Sequence, residues 1–316
     1  MASEVDELAS GIRVVMNAAD VSGLRRLTGG ASRETWRFNA DGQDFVLQRV
    51  RKGTPGGLRT EPAVLAAAHR GGVPVPELVV DGSHRDELDR PFMIVRAVQG
   101  ETIARKILRD DEFAAARKAL PAQLGKAAAS LHRISASEVE GLVNEDQIDR
   151  YKQVLDDLGE PHPVFEVAFR WLEMNRPTST RQCIVHGDFR LGNMMVNEQG
   201  LSAVLDWELS HIGDPMEDLG WLCVRAWRFG GAHPVAGLGA YEALFDAYEE
   251  ESGVRPDAHV VRWWETLGTL KWGIMCITQA SAHLSGMARS HELAAIGRRV
   301  CENEYDLLEL LTLENT

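Results

Sequence analysis

The stretch that most constrains this chain is QCIVHGDFRLGNMMVNEQGLSAVLDWELSHIGDP, residues 182–215. An apolar run, Cys183–Val185, leads into His186, Gly187 and Asp188, and Asn193 follows five positions after Asp188. Met194–Val196 then reads as a strand, NEQG as a turn, and Ala203–Leu205 as a second strand that delivers Asp206. Short apolar runs separated by turn residues are the mark of a hairpin. Folding it brings Asp188, Asn193 and Asp206 together at strand ends. The competing reading is a hairpin whose Asp and Asn only shape turns, a task both residues suit.

Clustered oxygens of this kind suit a hard cation. Asp206 and Asn193 would supply a carboxylate and an amide oxygen, and Mg²⁺ keeps several of its waters. Asp188 would lie nearby, free to accept a proton. Phosphoryl transfer needs these parts and few others: a metal that offsets phosphate charge, and a carboxylate that takes the proton of the attacking hydroxyl.

Around this island the texture of the chain changes twice. Residues 3–18 read as an amphipathic helix, and LRRLTGG, ETWRFNADG and DFVLQRV then read as short strands, with a DG hairpin signal in NADGQ. LRTEPAVLAAAHRGG reads as a helix stopped by Gly71 and Gly72, and PELVVDG and PFMIVRAV as two further strands. Beyond VQGET, residues 112–134, 147–174 and 216–312 carry helical periodicity, interrupted by the β-island at 182–206. The expected fold is α+β with two lobes: a small antiparallel sheet with one inserted helix in residues 1–98, and a large, mostly helical lobe in 99–316. The hinge would lie at Val98–Gly100, and the cleft between two lobes is a natural ligand site.

Composition narrows the partners. Hydrophobic residues make up 44% of the 316, enough for a real core. No apolar run approaches the roughly 20 residues of a membrane helix, and MASEVDELASGIRVVMNAAD lacks the basic-then-apolar pattern of a signal peptide. Cys183, Cys223, Cys276 and Cys301 are far apart with no CxxC pair, which argues against zinc and disulfides and for buried thiols in a reducing cytoplasm. A net charge of −13 repels phosphate backbones, so nucleic acid is not an expected partner. It would suit a cationic substrate, though solubility alone accounts for it.

The coupled set of strand, HGD, Asn, hairpin, LDW and GDP resembles the aminoglycoside phosphotransferase and choline kinase-like family, whose fold is similar to that of protein kinases. Within it, the chain is most similar to the subgroup related to the kinase-like domain fused to some acyl-CoA dehydrogenases. HGDFRLGN resembles the family's HGDxxxxN catalytic loop, and LDWELSHIGDPMEDLGWL its metal-binding aspartate and GDPxxDL segment. The resemblance implies an ATP- and Mg²⁺-dependent small-molecule kinase. Its catalytic set would be Asp188 as base, Asn193, and His186 in support of the loop, with Asn193 and Asp206 holding the metal. Asp214 would brace the catalytic loop from the start of the next helix, and Asp218 would be structural. Arg190 would touch a phosphate or pair with a nearby acid, the ion pair being favoured.

The same resemblance assigns the small lobe to the nucleotide. LTGGASRETWRF is a strand–turn–strand in which the backbone around Gly29, Gly30 and Ser32 could cradle phosphates. Kinases hold the α- and β-phosphates with a cation on the third strand, oriented by a helix glutamate. Here Gln48 falls in that slot and Arg49 follows it. Strand side chains alternate, so only one of the two can face the cleft. Arg51 or Lys52 could also reach in from the loop. The partner acid would be Glu61, which suits a helix first turn in any case. Adenine would be held by backbone groups around Arg96 and Val98.

On the acceptor side, Trp263, Trp264, Trp272 and His283 recur at helical spacing and read as core rather than pocket, and the acids of CENEYDLLELLTLENT read as the solvated face of a last helix. The acceptor expected by analogy is a hydroxylated metabolite, such as a hydroxy-acid or hydroxyacyl derivative, or an aminoglycoside-like molecule. Two other readings compete: a nucleotide-binding pseudokinase acting as sensor or scaffold, motivated by Gln48, and nucleotidyl transfer on the same fold.

Overall fold

The computed structural model describes residues 4–27, 33–52, 57–58, 60–85, 87–178 and 181–312. Five antiparallel strands form the N-terminal sheet: β1 (Val21–Leu27), β2 (Arg33–Ala40), β3 (Gln43–Val50), β4 (Leu78–Gly82) and β5 (Phe92–Arg96), in the order β1-β2-β3-β5-β4. β2 turns into β3 through Asp41 and Gly42, whose φ angles of 49° and 82° are the left-handed pair that a two-residue hairpin requires.

Both faces of this sheet are covered. Helix α1 (Glu4–Met16) buries Leu8 and Ile12 against Trp36, Phe38, Phe45, Leu47, Phe92 and Ile94. The opposite face offers Val50, Met93 and Val95 to helix α2 (Glu61–Arg70) and to the main core. The β3 strand therefore carries apolar residues on both faces, Phe45 and Leu47 on one and Val46 and Val50 on the other, with no visible inside or outside.

Past the sheet come α3 (Ala104–Arg109), α4 (Ala114–His132), α5 (Gln147–Leu158) and α6 (Pro163–Met174). The expected single helix over 147–174 is two, because Gly159 caps α5 at φ 67° and Pro163 restarts the chain as α6. Four short strands follow: β6 (Cys183–Val185), β7 (Met194–Asn197), β8 (Gly200–Val204) and β9 (His211–Gly213). β7 and β8 form the expected hairpin, while β6 pairs with β9, a strand too short to show alternation in the sequence. The rest is α7 (Met216–Cys223), α8 (Tyr241–Ser252), α9 (Ala258–Leu284), α10 (His291–Ile296) and α11 (Val300–Thr312). The span 224–240, expected to be helical, is a 3-10 turn at Arg225–Arg228 and then loop, since glycine and left-handed backbone at Phe229, Gly230, Ala236 and Gly237 interrupt it.

The chain leaving the sheet meets the hairpin at a tight point. Glu101 and Val196 exchange backbone hydrogen bonds of 2.8 and 3.0 Å. Gly100, at φ 150°, precedes this bridge, and a Cβ there would lie 2.7 Å from the Val196 carbonyl oxygen. Only glycine lets the chain pass so close. Cys183, Cys223 and Cys276 are buried, whereas Cys301, expected to be buried too, is exposed. No described helix is long and apolar enough to cross a membrane.

Strand parity answers the question of Gln48 and Arg49. Phe45 and Leu47 face α1, and Arg49 shares their side. Its Nη2 lies 2.8 Å from Glu34 Oε2, on the residue directly opposite in β2, and Arg90 Nη1 approaches the same carboxylate at 3.2 Å. Burial works against the ionised Glu34, yet hydrogen bonds and charge from Arg49 and Arg90 hold its carboxyl below its ordinary value. A depressed carboxyl pKa gives stability that is present above the unfolded value and is lost as pH falls through the folded one. Glu34→Ala is expected to cost roughly 3 kcal/mol, because it leaves buried Arg49 without its acid. Chemical denaturation of the two proteins at pH 7 and pH 3 checks this. The difference should shrink at the lower pH, and an equal difference at both would refute the pairing.

Candidate active site

The end of β6 is where the candidate chemistry begins. Gly187 turns the chain at φ 77°, and a Cβ on it would fall 2.4 Å from the Leu209 carbonyl oxygen. Asp188 then presents a carboxylate fixed by several donors. Asn193 Nδ2 donates to its Oδ2 at 2.6 Å, Arg190 Nε to its Oδ1 at 2.9 Å, and Trp221 Nε1 to Oδ1 at 2.8 Å. Arg190 thus takes the ion-pair option, with its guanidinium 4.7 Å over the Trp227 ring.

His186 is fully buried, and both ring nitrogens are committed. Nδ1 accepts the Asp188 N–H at 3.2 Å, so Nε2 carries the proton and donates to the Leu205 carbonyl at 3.0 Å. Burial pushes its pKa down, which keeps the ring neutral. His186 therefore ties the loop to the strand end before Asp206. The Leu205 N–H returns the link by donating to the Asn193 carbonyl at 2.8 Å.

The brace of this loop is Asp218, where Asp214 had been expected. Asp218 is fully buried in α7 and accepts the N–H groups of His186 and Gly187 at 2.8 and 3.0 Å. His132 Nε2 from α4 lies 3.1 Å from it. Burial opposes its charge, but hydrogen bonds from His132 and from the His186 N–H hold its carboxyl low. Asp214 instead accepts the Met216 N–H at 2.8 Å and caps the start of α7. Lys271 of α9 donates to the Gly187 carbonyl at 3.0 Å and sits 4.6 Å over Trp221.

Asp206 follows β8 with φ 66°, a left-handed conformation that side-chained residues avoid. It is open to solvent, yet the walls around it desolvate its carboxylate, and Glu208 and Asp188 repel it, so its pKa is raised to about 6. Arg190 and Arg33 pull it the other way. A cation beside Asp206 would relieve that repulsion. The amide oxygen of Asn193 accepts no hydrogen bond among the described residues, because its Nδ2 serves Asp188. One carboxylate and one amide oxygen fit Mg²⁺, which takes few protein ligands. No group of three or more His, Cys, Asp or Glu among the described residues could hold a metal.

On the sheet side, Gln48 lies on the face opposite Arg49, next to Val50 and the main core. Of the alternatives left open for the partner of Glu61, Arg49 does not serve, since Glu61 is hydrogen-bonded to Arg33 of β2. Burial lifts the Glu61 carboxyl to about 7 against the pull of Arg33, with Asp206 and Glu208 adding to the lift. Arg51 Nε donates to the Arg33 carbonyl at 3.1 Å. Gly29, Gly30 and Ser32 fall outside the described residues. In the hinge, the amides of Arg96 and Ala97 donate to the Glu77 and Asp44 carbonyls, whereas the Val98 N–H has no partner among the described residues. The Arg96 side chain turns away to Glu77 and Gln43.

Trp263 is buried and donates to the Leu172 carbonyl, Trp272 is buried against Trp227, and His283 accepts the Ser290 N–H, all as core or structural residues. Sequence reasoning missed Arg33, Trp221, Lys271 and His132. Arg33 and Trp221 nevertheless stood inside the stretches LTGGASRETWRF and LDWELSHIGDPMEDLGWL.

A family model described as phosphotransferase enzyme family matches residues 23–263. Rat acyl-CoA dehydrogenase family member 11 is 30% identical over 222 residues, covering 61% of this chain and 27% of its own length. The matches take up 20–27% of the first curated relatives, so the chain spans about a quarter of those proteins. A Ralstonia eutropha protein described as a candidate aminoglycoside phosphotransferase superposes with a TM-score of 0.76 at 23% identity, over 96% of this chain and 97% of its own. Aminoglycoside phosphotransferase APH(4)-Ia, in a ternary complex with AMP-PNP and hygromycin B, superposes at 0.63 and 15%, over 96% and 98%. These likenesses establish the two-lobed, protein-kinase-like fold.

If Asp218 is the brace, Asp218→Ala strands two backbone amides and His132, and is expected to cost roughly 3 kcal/mol. Asp214→Ala removes only a helix cap, worth about 1 kcal/mol. Urea unfolding of both variants checks the order, and equal losses would refute the assignment.

Proposed function

The chain belongs to the phosphotransferase enzyme family, and from that premise we propose that it transfers the γ-phosphate of ATP to a hydroxyl of a small molecule, with Mg²⁺. The observation that carries this reading is the Asp188 carboxylate, held by Asn193, Arg190 and Trp221 and joined through His186 to the strand that ends at Asp206. A carboxylate so oriented can accept the proton of an acceptor hydroxyl as its oxygen attacks the γ-phosphorus. The bond to the β,γ-bridging oxygen then breaks, and ADP leaves. Trp221, Asn193 and Arg190 keep the base aimed. Asp206 and Asn193 would hold Mg²⁺, which when bound offsets phosphate charge.

Residues 1–98 would bind the nucleotide, with the free Val98 N–H available to adenine, and residues 99–316 would carry the base and the acceptor. That the APH(4)-Ia complex holds AMP-PNP and hygromycin B supports a nucleotide and a hydroxylated small molecule as the two substrates. The acceptor class is a hydroxylated metabolite or an aminoglycoside-like molecule. Gln48, on the face where kinases carry a cation, favours a second reading: a pseudokinase that binds nucleotide as sensor or scaffold. Metal-dependent ATP binding without turnover on any acceptor in a broad screen would favour it.

Asp188→Ala is expected to lower turnover by about 10²–10⁴ while the Mg-ATP thermal shift persists. Asp206→Ala is expected to abolish that shift. At about 100 times its Kd, Mg-ATP should add about 2.7 kcal/mol to wild-type stability. Full turnover in Asp188→Ala would sink the mechanism, and no shift in the wild type would sink the nucleotide site.

A further inference from the structure

A nucleotide triphosphate entering this cleft meets carboxylates at Glu61, Asp188, Asp206 and Glu208. Some fixed cation must offset its charge. The β3 strand has none to give on that face: Gln48 is neutral, and Arg49 is locked on the far side by Glu34, 2.8 Å away.

Arg33 occupies the right face. In the β2–β3 register it pairs with Val50, and Thr35 pairs with Gln48, so Arg33, Thr35, Gln48 and Val50 project to the same side of the sheet. Its guanidinium is bonded to Glu61 at the start of α2 and lies 3.8 Å from Glu208, two residues beyond Asp206. It therefore stands between the helix acid and the loop that carries the candidate metal ligand. Nη2 makes both of those contacts. Nη1 is buried and has no hydrogen-bond partner among the described residues. A buried guanidinium N–H without an acceptor is costly, and a phosphate oxygen is the acceptor that this planar fork fits best.

We propose that Arg33 is the residue that holds the phosphates of the nucleotide, in place of a third-strand cation, with Glu61 as its orienting acid. The inference rests on the phosphotransferase reading above and names the part of that site which Gln48 leaves vacant. The cation has moved one strand across the sheet while keeping the same face and the same helix acid.

The test is titration of the 316-residue chain with Mg-ATP and, separately, with adenosine, which has no phosphates. Five proteins are compared: wild type, Arg33→Gln, Arg33→Gln with Glu61→Gln, Arg33→Gln with Gln48→Lys, and Asp206→Ala. Arg33→Gln is expected to weaken Mg-ATP by about tenfold to a hundredfold, the worth of a charge-assisted hydrogen bond, and to leave adenosine unchanged. The Arg33→Gln/Glu61→Gln protein removes both charges of the pair. It should bind Mg-ATP as weakly as Arg33→Gln if Arg33 holds phosphate. Lysine at position 48 should recover most of the loss. Wild-type affinity in the doubly neutral protein would overturn the proposal, since Arg33 would then serve only to neutralise Glu61. Wild-type affinity in Arg33→Gln would overturn it too, while leaving the kinase reading intact provided that Asp206→Ala still loses Mg-ATP. No Mg-ATP binding by the wild type would overturn both.

Discussion

The active-site geometry hangs on one buried carboxylate. Asp218 accepts the amides of His186 and Gly187 and faces His132, with no exposure to water. An ion removed from water this completely persists only when donors surround it. Those donors are the backbone of the turn that presents Asp188 and a histidine from α4, so satisfying Asp218 also fixes how α4, α7 and the end of β6 meet. The constraint then propagates. Once the turn is set, His186 can reach the Leu205 carbonyl, and Leu205 can reach Asn193. Two acids far apart in sequence, Asp188 and Asp206, acquire a defined separation through one imidazole.

The cleft itself is held under like-charge tension. Asp206 is raised from an ordinary 3.8 to about 6 and Glu61 from 4.5 to about 7, first by desolvation and then by neighbouring acids. A carboxyl whose pKa is raised on folding favours the fold at low pH and works against it as pH climbs through the folded value. Near neutral pH both residues therefore cost stability. The fold tolerates that cost where acids are concentrated for use, and it spends its cations sparingly there: Arg190 on Asp188, Arg33 on Glu61. Asp206 adds a second stored cost in its left-handed backbone.

Much of the architecture was legible. Alternation, the Asp41–Gly42 turn and the β7–β8 hairpin are local signals, and the structure bears them out. The candidate site residues Asp188, Asn193 and Asp206 were legible because the motif sets them at strand ends. What was not legible depends on contacts between distant segments. Asp214 and Asp218 lie four residues apart on the way into α7, and nothing local says which one points inward to the β6 turn. Lys271 and His132 sit in α9 and α4, more than 50 residues from the turn they support, in helices that read as ordinary core. β9 has three residues, too few to show any period.

Gln48 and Arg49 are the sharpest case, because the usual aid to reading a strand fails there. Parity is visible when one face is polar, but β3 is apolar on both: Phe45 and Leu47 serve the α1 side, Val46 and Val50 the other. Either register looks equally good in sequence. What breaks the tie lies on the neighbouring strand. Glu34 stands opposite Arg49, and Arg33 stands opposite Val50. Glu34 meets Arg49 across the strands, so that arginine is assigned its face by its cross-strand partner, and Arg33, opposite Val50, is left on the other face. The pair Glu34–Arg33 therefore carries the information that β3 lacks. It sends one arginine to the sheet's outer side as a structural ion pair and leaves the other on the cleft side, within reach of the helix acid that a third-strand cation would otherwise engage.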